Sequence, residues 1–428
     1  MQPMPFKYKT LYELKQDAAQ KKQDIPFGNN DAVLNDAIDV GECRVFNRFV
    51  AQPLEGNSAL PSGAPSAATK DWYRKLAEGG WGMIWIESTS VSADGRSGAA
   101  QLYLNEETAD AFGELVRAIR AASPLPYVYL VLQLTHSGRS SKIDGEPAPV
   151  AVCPNPYLEK DGERIISDEE LSDLEDDFVN TALLAQKAGF DAVDIRACHG
   201  YLIDSLLGAH TRTGNYGGTF ENRNRFILNV VEKIRMASSI QIGARISFYE
   251  GLPWPYGWGT AEEEPAESDT SEPIRLIREL YLRGVRLFNT SAGIGISTPY
   301  LIRPYDRGPI TSPEHQLQGV ARQLNFARLA KKAAPEAVVV ASALSWLREY
   351  ALDVAAGGIE DGWFDMAGFG RLSLSTPGFP LLVKNAAENL RRKLCTTCSG
   401  CSTLVKSGKP IYCLIQNNGK KSGGFDGI

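Results

Sequence analysis

The chain has 428 residues, 43% of them hydrophobic and 22% charged, with a formal net charge of −6. That is long enough for a large buried core and ordinary in composition for a globular protein. Negative charge without any basic run argues against nucleic acid and anionic membrane as partners, and no apolar stretch approaches the roughly 18 residues of a membrane span.

Residues 1–39 read as an N-terminal extension. Its opening, MQPMPFKYKTLYELKQDAAQKKQ, is polar and lacks an apolar signal core, so a cytoplasmic protein with reduced thiols is expected. From residue 40 to 390 short apolar runs alternate with amphipathic stretches. The runs fall at 44–52, 83–89, 127–136, 191–197, 241–247, 285–291, 337–343 and 363–371. They are continuous rather than alternating, as expected of parallel strands buried on both faces. The clearest helical pattern opens on Ser167 and Glu170, spaced as a capping box. Leu171, Leu174, Phe178, Ala182 and Ala185 follow at helical spacing, and Gly189 stands at the C-cap position. Eight such units predict an α/β fold, a (β/α)8 TIM barrel. A doubly wound open sheet is disfavoured, because no G-x-G-x-x-G opens a helix after an early strand.

A barrel of this kind carries its active site at the C-terminal strand ends. Strand one ends with Pro53 and Glu55, strand three with Gln133, strand four with Arg196, His199 and Tyr201, and strand eight with Gly370 and Arg371, while Arg245 lies on strand five. Arg371, following glycines at the last strand, suits a phosphate. Arg245 suits charge developing on a cofactor ring. Tyr201 and His199 share one loop and can donate hydrogen bonds or a proton. Taken singly, each of these residues is more often a packing or ion-pair residue. Together they outline a site for flavin mononucleotide. Beyond the barrel, residues 391–428 hold Cys395, Cys398, Cys401 and Cys413. In a reducing compartment four crowded thiols favour a metal site over disulfides, either an iron–sulfur cluster or zinc.

The stretch CHGYLIDSLLGAHTRTGNYGGTFENRNRF (198–226) resembles the signature of the old yellow enzyme family of flavin-dependent ene reductases. NRFVAQP (47–53), QLTHSGR (133–139) and GFGR (368–371) match further family blocks in order. The resemblance implies FMN, with Ala51, Pro53, Leu54 and Ser88 lining the ring and Glu55 where Thr or Cys commonly sits near a flavin carbonyl. It implies Gln133 on the pyrimidine edge, Arg245 at the N1/O2 side, and Ser342, Ala343, Gly370 and Arg371 on the phosphate. Tyr201 becomes the proton donor and His199, with Arg196, the holder of the substrate's electron-withdrawing group. The tail, C-x2-C-x2-C-x11-C, resembles the [4Fe–4S] segment of the branch that includes 2,4-dienoyl-CoA reductase and trimethylamine dehydrogenase. There are departures. Arg196 stands where the family often has His or Asn, Gly214 replaces a family Asp, and NTSAGIGIS (289–297), after strand six, contains no histidine.

The implied activity is hydride transfer from flavin N5 to the β-carbon of an α,β-unsaturated carbonyl compound (an enoate, enone or enoyl-CoA). The alternatives are an amine dehydrogenase of the trimethylamine type, or an electron-transfer subunit without substrate chemistry of its own. In larger family members a domain for FAD and a nicotinamide follows the cluster, whereas this sequence ends at Ile428. The expectation is therefore NAD(P)H acting directly or, preferred, an external donor such as a flavoprotein or ferredoxin feeding the cluster. A homo-oligomer is compatible with the sequence. Trp254, Tyr256 and Trp258, in an insertion at 249–273, are candidates for an aromatic wall beside the barrel mouth.

Overall fold

A computed structural model of the chain describes residues 5–143, 145–264, 267–386 and 390–416. Eight strands form one closed parallel barrel: β1 (Phe49–Ala51), β2 (Met83–Ser90), β3 (Tyr129–Thr135), β4 (Ala192–Ala197), β5 (Gln241–Ser247), β6 (Leu287–Ser291), β7 (Val338–Ala341) and β8 (Met366–Phe369). They pair in chain order, and β8 closes on β1 through Phe369 and Ala51. Every strand residue but Gln241 is buried, the consequence of side chains filling the interior and helices covering the exterior. The predicted barrel is therefore observed.

The outer layer is built from α1 (Ala67–Glu78), α2 (Ala109–Ala122), α3 (Asp168–Ala188), α4 (Phe220–Ala237), α5 (Ser271–Leu282), α6 (Gln316–Ala333) and α7 (Ala351–Glu360). Helix α3 begins and ends as its sequence predicts. Ser167 and Glu170 bond reciprocally as a capping box, and Gly189 takes the left-handed conformation at φ 95°. The eighth unit differs from the regular pattern. After β8 the chain forms two short helices, Arg371–Ser375 and Phe379–Lys384, in place of one long one.

The first expected strand, 44–52, is split. Cys43–Val45 pairs with Ile38–Val40 as an antiparallel hairpin, and only Phe49–Ala51 enters the barrel. Asn47 makes the break. Its side-chain oxygen accepts from the amides of Phe49 (3.1 Å) and Gly82 (2.9 Å), and its amide donates to Gly80 O (2.8 Å). The hairpin's Val40 and Val45 join Trp85, Tyr129, Leu287 and Met366 in one apolar cluster inside the barrel. The N-terminal extension is also folded against the barrel. Leu14 of the helix Leu11–Gln20 is fully buried, and Phe6 meets Trp346 edge to face at 5.2 Å. Among the described residues no helix is long and apolar enough to cross a membrane.

Candidate active site

The C-terminal strand ends open on a cavity of about 360 Å³, the size of a small-ligand or cofactor site. Strand register decides which side chains reach it. Arg196, Arg245 and Asn289 are in-register neighbours on β4, β5 and β6, so their side chains leave the sheet on the same face. Two residues deeper, Gln133 and Asp194 are partners on β3 and β4. The Asp194 carboxylate accepts from Gln133 Nε2 (2.6 Å), Trp85 Nε1 (2.9 Å) and the Arg245 amide (2.6 Å). Burial raises its pKa against the bonds that stabilise its charge.

Most of the residues anticipated from sequence meet at this cavity: Pro53, Leu54 and Glu55 after β1, Arg196, His199 and Tyr201 at β4, Arg245 on β5, Ser342 and Ala343 after β7, and Gly370 and Arg371 after β8. Ala51, Ser88 and Gln133 are buried but do not line it. Ser88 accepts from Gln101 Nε2 through both its carbonyl and its hydroxyl, at 3.2 and 3.3 Å. The Ser342 hydroxyl is likewise engaged, bonded to Gln52 and Asn289 at 3.1 Å each. Gln52, Asn289 and Arg303 were not singled out by sequence. Gln52 lay inside a recognised block, whereas Arg303 lies in a loop with no motif around it.

The loop after β4 is held in an unusual backbone. His199 (φ 67°) and Gly200 (φ 78°) are both left-handed, a strain of about 1–3 kcal/mol for the histidine. Even a Cβ on Gly200 would come within 2.7 Å of Ile294. Asp204 fixes the loop from beneath, its Oδ2 accepting from the Gly200 amide (2.7 Å) and the Ser247 hydroxyl (3.3 Å), while Ser247 Oγ accepts from the His199 amide (3.3 Å). Asp204 also meets Glu250. Burial raises both carboxyl pKa values, and Glu250, the higher, is the protonated partner.

The same burial sets the protonation of the loop's functional groups. His199 is pushed well below its ordinary pKa, by burial first and then by Arg245, Arg196 and Arg303, so it is neutral at physiological pH. Its Nε2 pairs with Ser291 Oγ at 2.7 Å. Tyr201 is pushed up by burial, with Arg196 opposing. The Arg196 guanidinium lies 3.6 Å from the centre of the Tyr201 ring.

The cavity is strongly cationic. Among the described residues Arg139, Arg196, Arg245, Arg303, Arg371 and Lys406 line it against a single carboxylate, Glu55. Arg139 is satisfied by Glu163 at 3.0 Å. Arg196 Nε, Arg245 Nε and Arg371 Nη1 are buried without a hydrogen-bond partner, a costly arrangement unless a ligand meets them. Tyr201 is the only aromatic side chain lining the cavity among the described residues. The aromatic wall anticipated in the insertion is not formed. Trp258 is core, its indole donating to Ser247 O at 2.8 Å, because the segment folds back to pair Glu250 N with Trp258 O. Trp254 packs on the His210 ring at 4.0 Å, and Tyr256 lines a separate small cavity.

The tail also reaches the site. Cys395, Cys398, Cys401 and Cys413 all line a second, small cavity of about 20 Å³, and all seven cysteines are free thiols. Among the described residues no group of three or more His, Cys, Asp or Glu is arranged to hold a metal ion. The four thiols surround one space without closing into a ligand shell. Thr397 and Ser399 take left-handed φ (50° and 59°), curling the backbone so that the Thr397 amide donates to Cys395 Sγ at 3.4 Å. Helix α8 (Gly400–Lys406) and Ile411 form a wall of the main cavity, anchored by Ile411 N to Gly56 O at 3.1 Å and Arg303 Nη2 to Ser402 Oγ at 2.6 Å. Arg371, Leu374 and Cys401 line both cavities.

Beneath this wall, Glu87 accepts from the Gly56 amide at 2.5 Å and from Tyr73 Oη at 3.3 Å. Burial pushes its pKa up to about 8. The folded state then holds this proton between pH 4.5 and 8 while the unfolded chain releases it, so stability falls as pH rises through that window. Glu87→Gln removes the titration and keeps an acceptor for Gly56. A plot of melting temperature against pH should be flatter for the variant between pH 5 and 8, and equal slopes would exclude Glu87 as the source.

A model of the NADH:flavin oxidoreductase / NADH oxidase family matches residues 34–265, and the chain belongs to that family, which includes the old yellow enzymes. It is 28% identical over 373 residues to an NADH oxidase of Thermoanaerobacter brockii, covering 85% of this chain and 52% of that protein. It is 30% identical over 272 residues to an NADPH dehydrogenase of Geobacillus sp. (strain WCH70), covering 61% and 72%. The chain thus spans about half the length of the NADH oxidase. In fold it is similar to a 2-naphthoyl-CoA reductase (TM-score 0.74, 21% identity, 90% of this chain and 57% of that one). It is similar also to morphinone reductase (TM-score 0.63, 22% identity, 83% and 91%) and to histamine dehydrogenase from Rhizobium sp. 4-9 (TM-score 0.68, 21% identity, 90% and 52%).

Proposed function

We propose that the chain is an FMN-dependent ene reductase, with residues 40–390 as the flavin barrel and 391–428 as an iron–sulfur segment, residues 417–428 lying outside those described. The observation that carries this reading is the β4 loop. A phenol held protonated and an imidazole held neutral face one cavity whose arginines present unpartnered nitrogens. Those nitrogens fit an anionic cofactor. Arg245 would face the ring, as the family resemblance implies. Arg371, with Arg303 lining the same cavity, would hold the phosphate beside Ser342, Ala343 and Gly370. Gln133 gives one amide hydrogen to Asp194, so its oxygen and its second hydrogen would be left for a ring, and Ala51 and Ser88 would support the ring from behind. Bound there, FMN supplies the hydride that reaches the β-carbon of an α,β-unsaturated carbonyl compound. His199 and Arg196 polarise the carbonyl, and Tyr201 gives its proton to the α-carbon. NAD(P)H is the reductant that the family supports. A ferredoxin or flavoprotein feeding a [4Fe–4S] cluster at the four cysteines is the further proposal, supported by the wall that the two cavities share.

The amine dehydrogenase reading fares worse. A methylated ammonium is recognised by an aromatic cage, and here it would enter a cavity with one aromatic ring and an excess of arginines. Anaerobic purification with iron, sulfide and flavin analysis, followed by mixing of the reduced protein with enones and enoates, tests the proposal. Stoichiometric flavin reoxidised by an enone within seconds is the expected result. Flavin that no activated alkene reoxidises would leave the electron-transfer subunit as the better reading.

A further inference from the structure

Asp204 and Glu250 are two buried acids behind the β4 loop to which the proposed reaction gives no part. They are 0% and 3% exposed and touch one another. The titratable groups that face them are Arg196 and Cys198 from the β4 side and Arg139 from the loop after β3. Arg139 is committed to Glu163 at 3.0 Å, and Arg196 rests on the Tyr201 ring. Burial keeps the Cys198 thiol neutral by pushing its pKa up to about 11. Two carboxylates in contact at such a depth cannot both be charged. The hydrogen bonds show where their proton lies. Asp204 Oδ2 accepts from the Gly200 amide and the Ser247 hydroxyl, as an ionised oxygen does. Asp204 Oδ1 has no donor among the described residues save the Glu250 carboxyl. Glu250 Oε2 in turn accepts from the Trp258 amide at 2.7 Å.

Glu250 is also a junction of the backbone. Its N–H donates to Trp258 O at 3.0 Å, and its carbonyl accepts from Thr298 Oγ1 at 2.8 Å. Thr298 Oγ1 accepts from the Ile294 amide at 2.8 Å. Ile294 closes the circuit, because it forms a parallel bridge with His199, packs against Gly200 and lines the main cavity. The circuit runs His199, Gly200, Asp204, Glu250, Thr298, Ile294 and back. It joins the loops after β4, β5 and β6. Its first member is a left-handed histidine, a conformation that persists only where the surroundings impose it. Tyr201 sits inside the circuit, between Gly200 and the short helix Leu202–Leu207 that carries Asp204.

We propose that Asp204 and Glu250 share a single proton and that this acid pair is the positioning device that sets His199 and Tyr201, tying the β4 loop to the segments after β5 and β6. The role in positioning rests on the reading of the cavity as a site of alkene reduction. With the proton in place, one O–H···O bond closes the circuit. Without it, two negative charges face each other and the link at the centre opens.

Glu250→Gln supplies a permanent donor of the same shape, since its amide gives a hydrogen to Asp204 and its oxygen still accepts from Trp258. In single-turnover mixing of reduced, FMN-loaded protein with cyclohexenone, this variant should match the parent within about threefold at pH 7. As pH is raised beyond the neutral range, the parent should lose the alkene step and the variant should keep it. Asp204→Ala, which releases the Gly200 amide, should slow the step by about 10²-fold, the cost of misplacing a reacting group by about 1 Å. Flavin occupancy reports folding; should Asp204→Ala fail to fold, the two pH profiles still decide. The proton itself is read by infrared spectroscopy at pH 7. The difference between the parent and Glu250→Gln should contain the carbonyl band of a protonated carboxylic acid, with Glu87 cancelling because both proteins carry it. Coincident pH profiles, or a difference spectrum without that band, would overturn the pair and leave alkene reduction standing. The band in a protein that no alkene reoxidises would do the reverse, keeping the shared proton and removing the reaction.

Discussion

Replacing Tyr201 with Phe should slow reoxidation of the reduced flavin by an enone by about 10²–10⁴-fold, the usual contribution of one positioned general acid. The rate should fall at the alkene step alone. Phe keeps the ring on which the Arg196 guanidinium rests at 3.6 Å, so the affinity for an unsaturated ligand should change by less than about threefold, since exposed to moderately buried cation–π contacts survive loss of a hydroxyl. Flavin reduction by NAD(P)H, which needs no proton from this loop, should be untouched. Single-turnover mixing resolves the two half-reactions. In the unmodified protein the alkene step should be independent of pH from 6 to 8, because burial lowers the His199 pKa and raises that of Tyr201, placing both transitions outside that window. A Tyr201→Phe protein as fast as the parent would remove the phenol from the role, and an alkene-step rate that changes steeply across neutral pH would point to a different donor.

The barrel was legible because parallel strands buried on both faces write themselves as continuous apolar runs, and each of the eight runs contains a strand. Boundaries were less legible where a side chain redirects the backbone. Asn47 splits the first run by bonding Phe49 and Gly82, and nothing in an apolar pattern announces a polar residue's choice of partner. The site was legible where cavity-lining residues sit on motif-bearing loops, as with His199, Tyr201 and Arg371. It was illegible where chain-distant segments converge. Arg303 and Gln52 reach the site, and Asn289 supports it from behind by bonding Gln52 and Ser342, through strand register and loop packing that only the closed barrel sets. Trp258 shows the opposite failure. This one aromatic of an exposed-looking insertion proved to be core, because the segment pairs back on Glu250 and buries the indole against Ser247. The tail was read as a cysteine segment beyond the barrel, yet its helix α8 and Ile411 also line the main cavity.

That last point gives the cysteines a second consequence. Cys401→Ser should abolish cluster assembly, measured as iron and acid-labile sulfide per chain, because a four-thiolate site loses its ligand set with any one member. Cys43→Ser, on the hairpin that precedes β1, should leave the iron content unchanged. Two effects on catalysis should then separate. Electron entry from reduced ferredoxin should be lost, whereas direct reduction of the flavin by NAD(P)H should persist. Substrate affinity should weaken as well, because Cys401 itself lines the main cavity beside Ser402, Val405 and Ile411. The contacts of Ile411 with Gly56 and of Ser402 with Arg303 would remain, so flavin should stay bound and the barrel folded. Iron-free Cys401→Ser protein that accepts electrons from ferredoxin as fast as the parent would sink the relay. Iron content unaffected by the substitution would sink the cluster assignment itself and favour a role for the four thiols that is independent of iron.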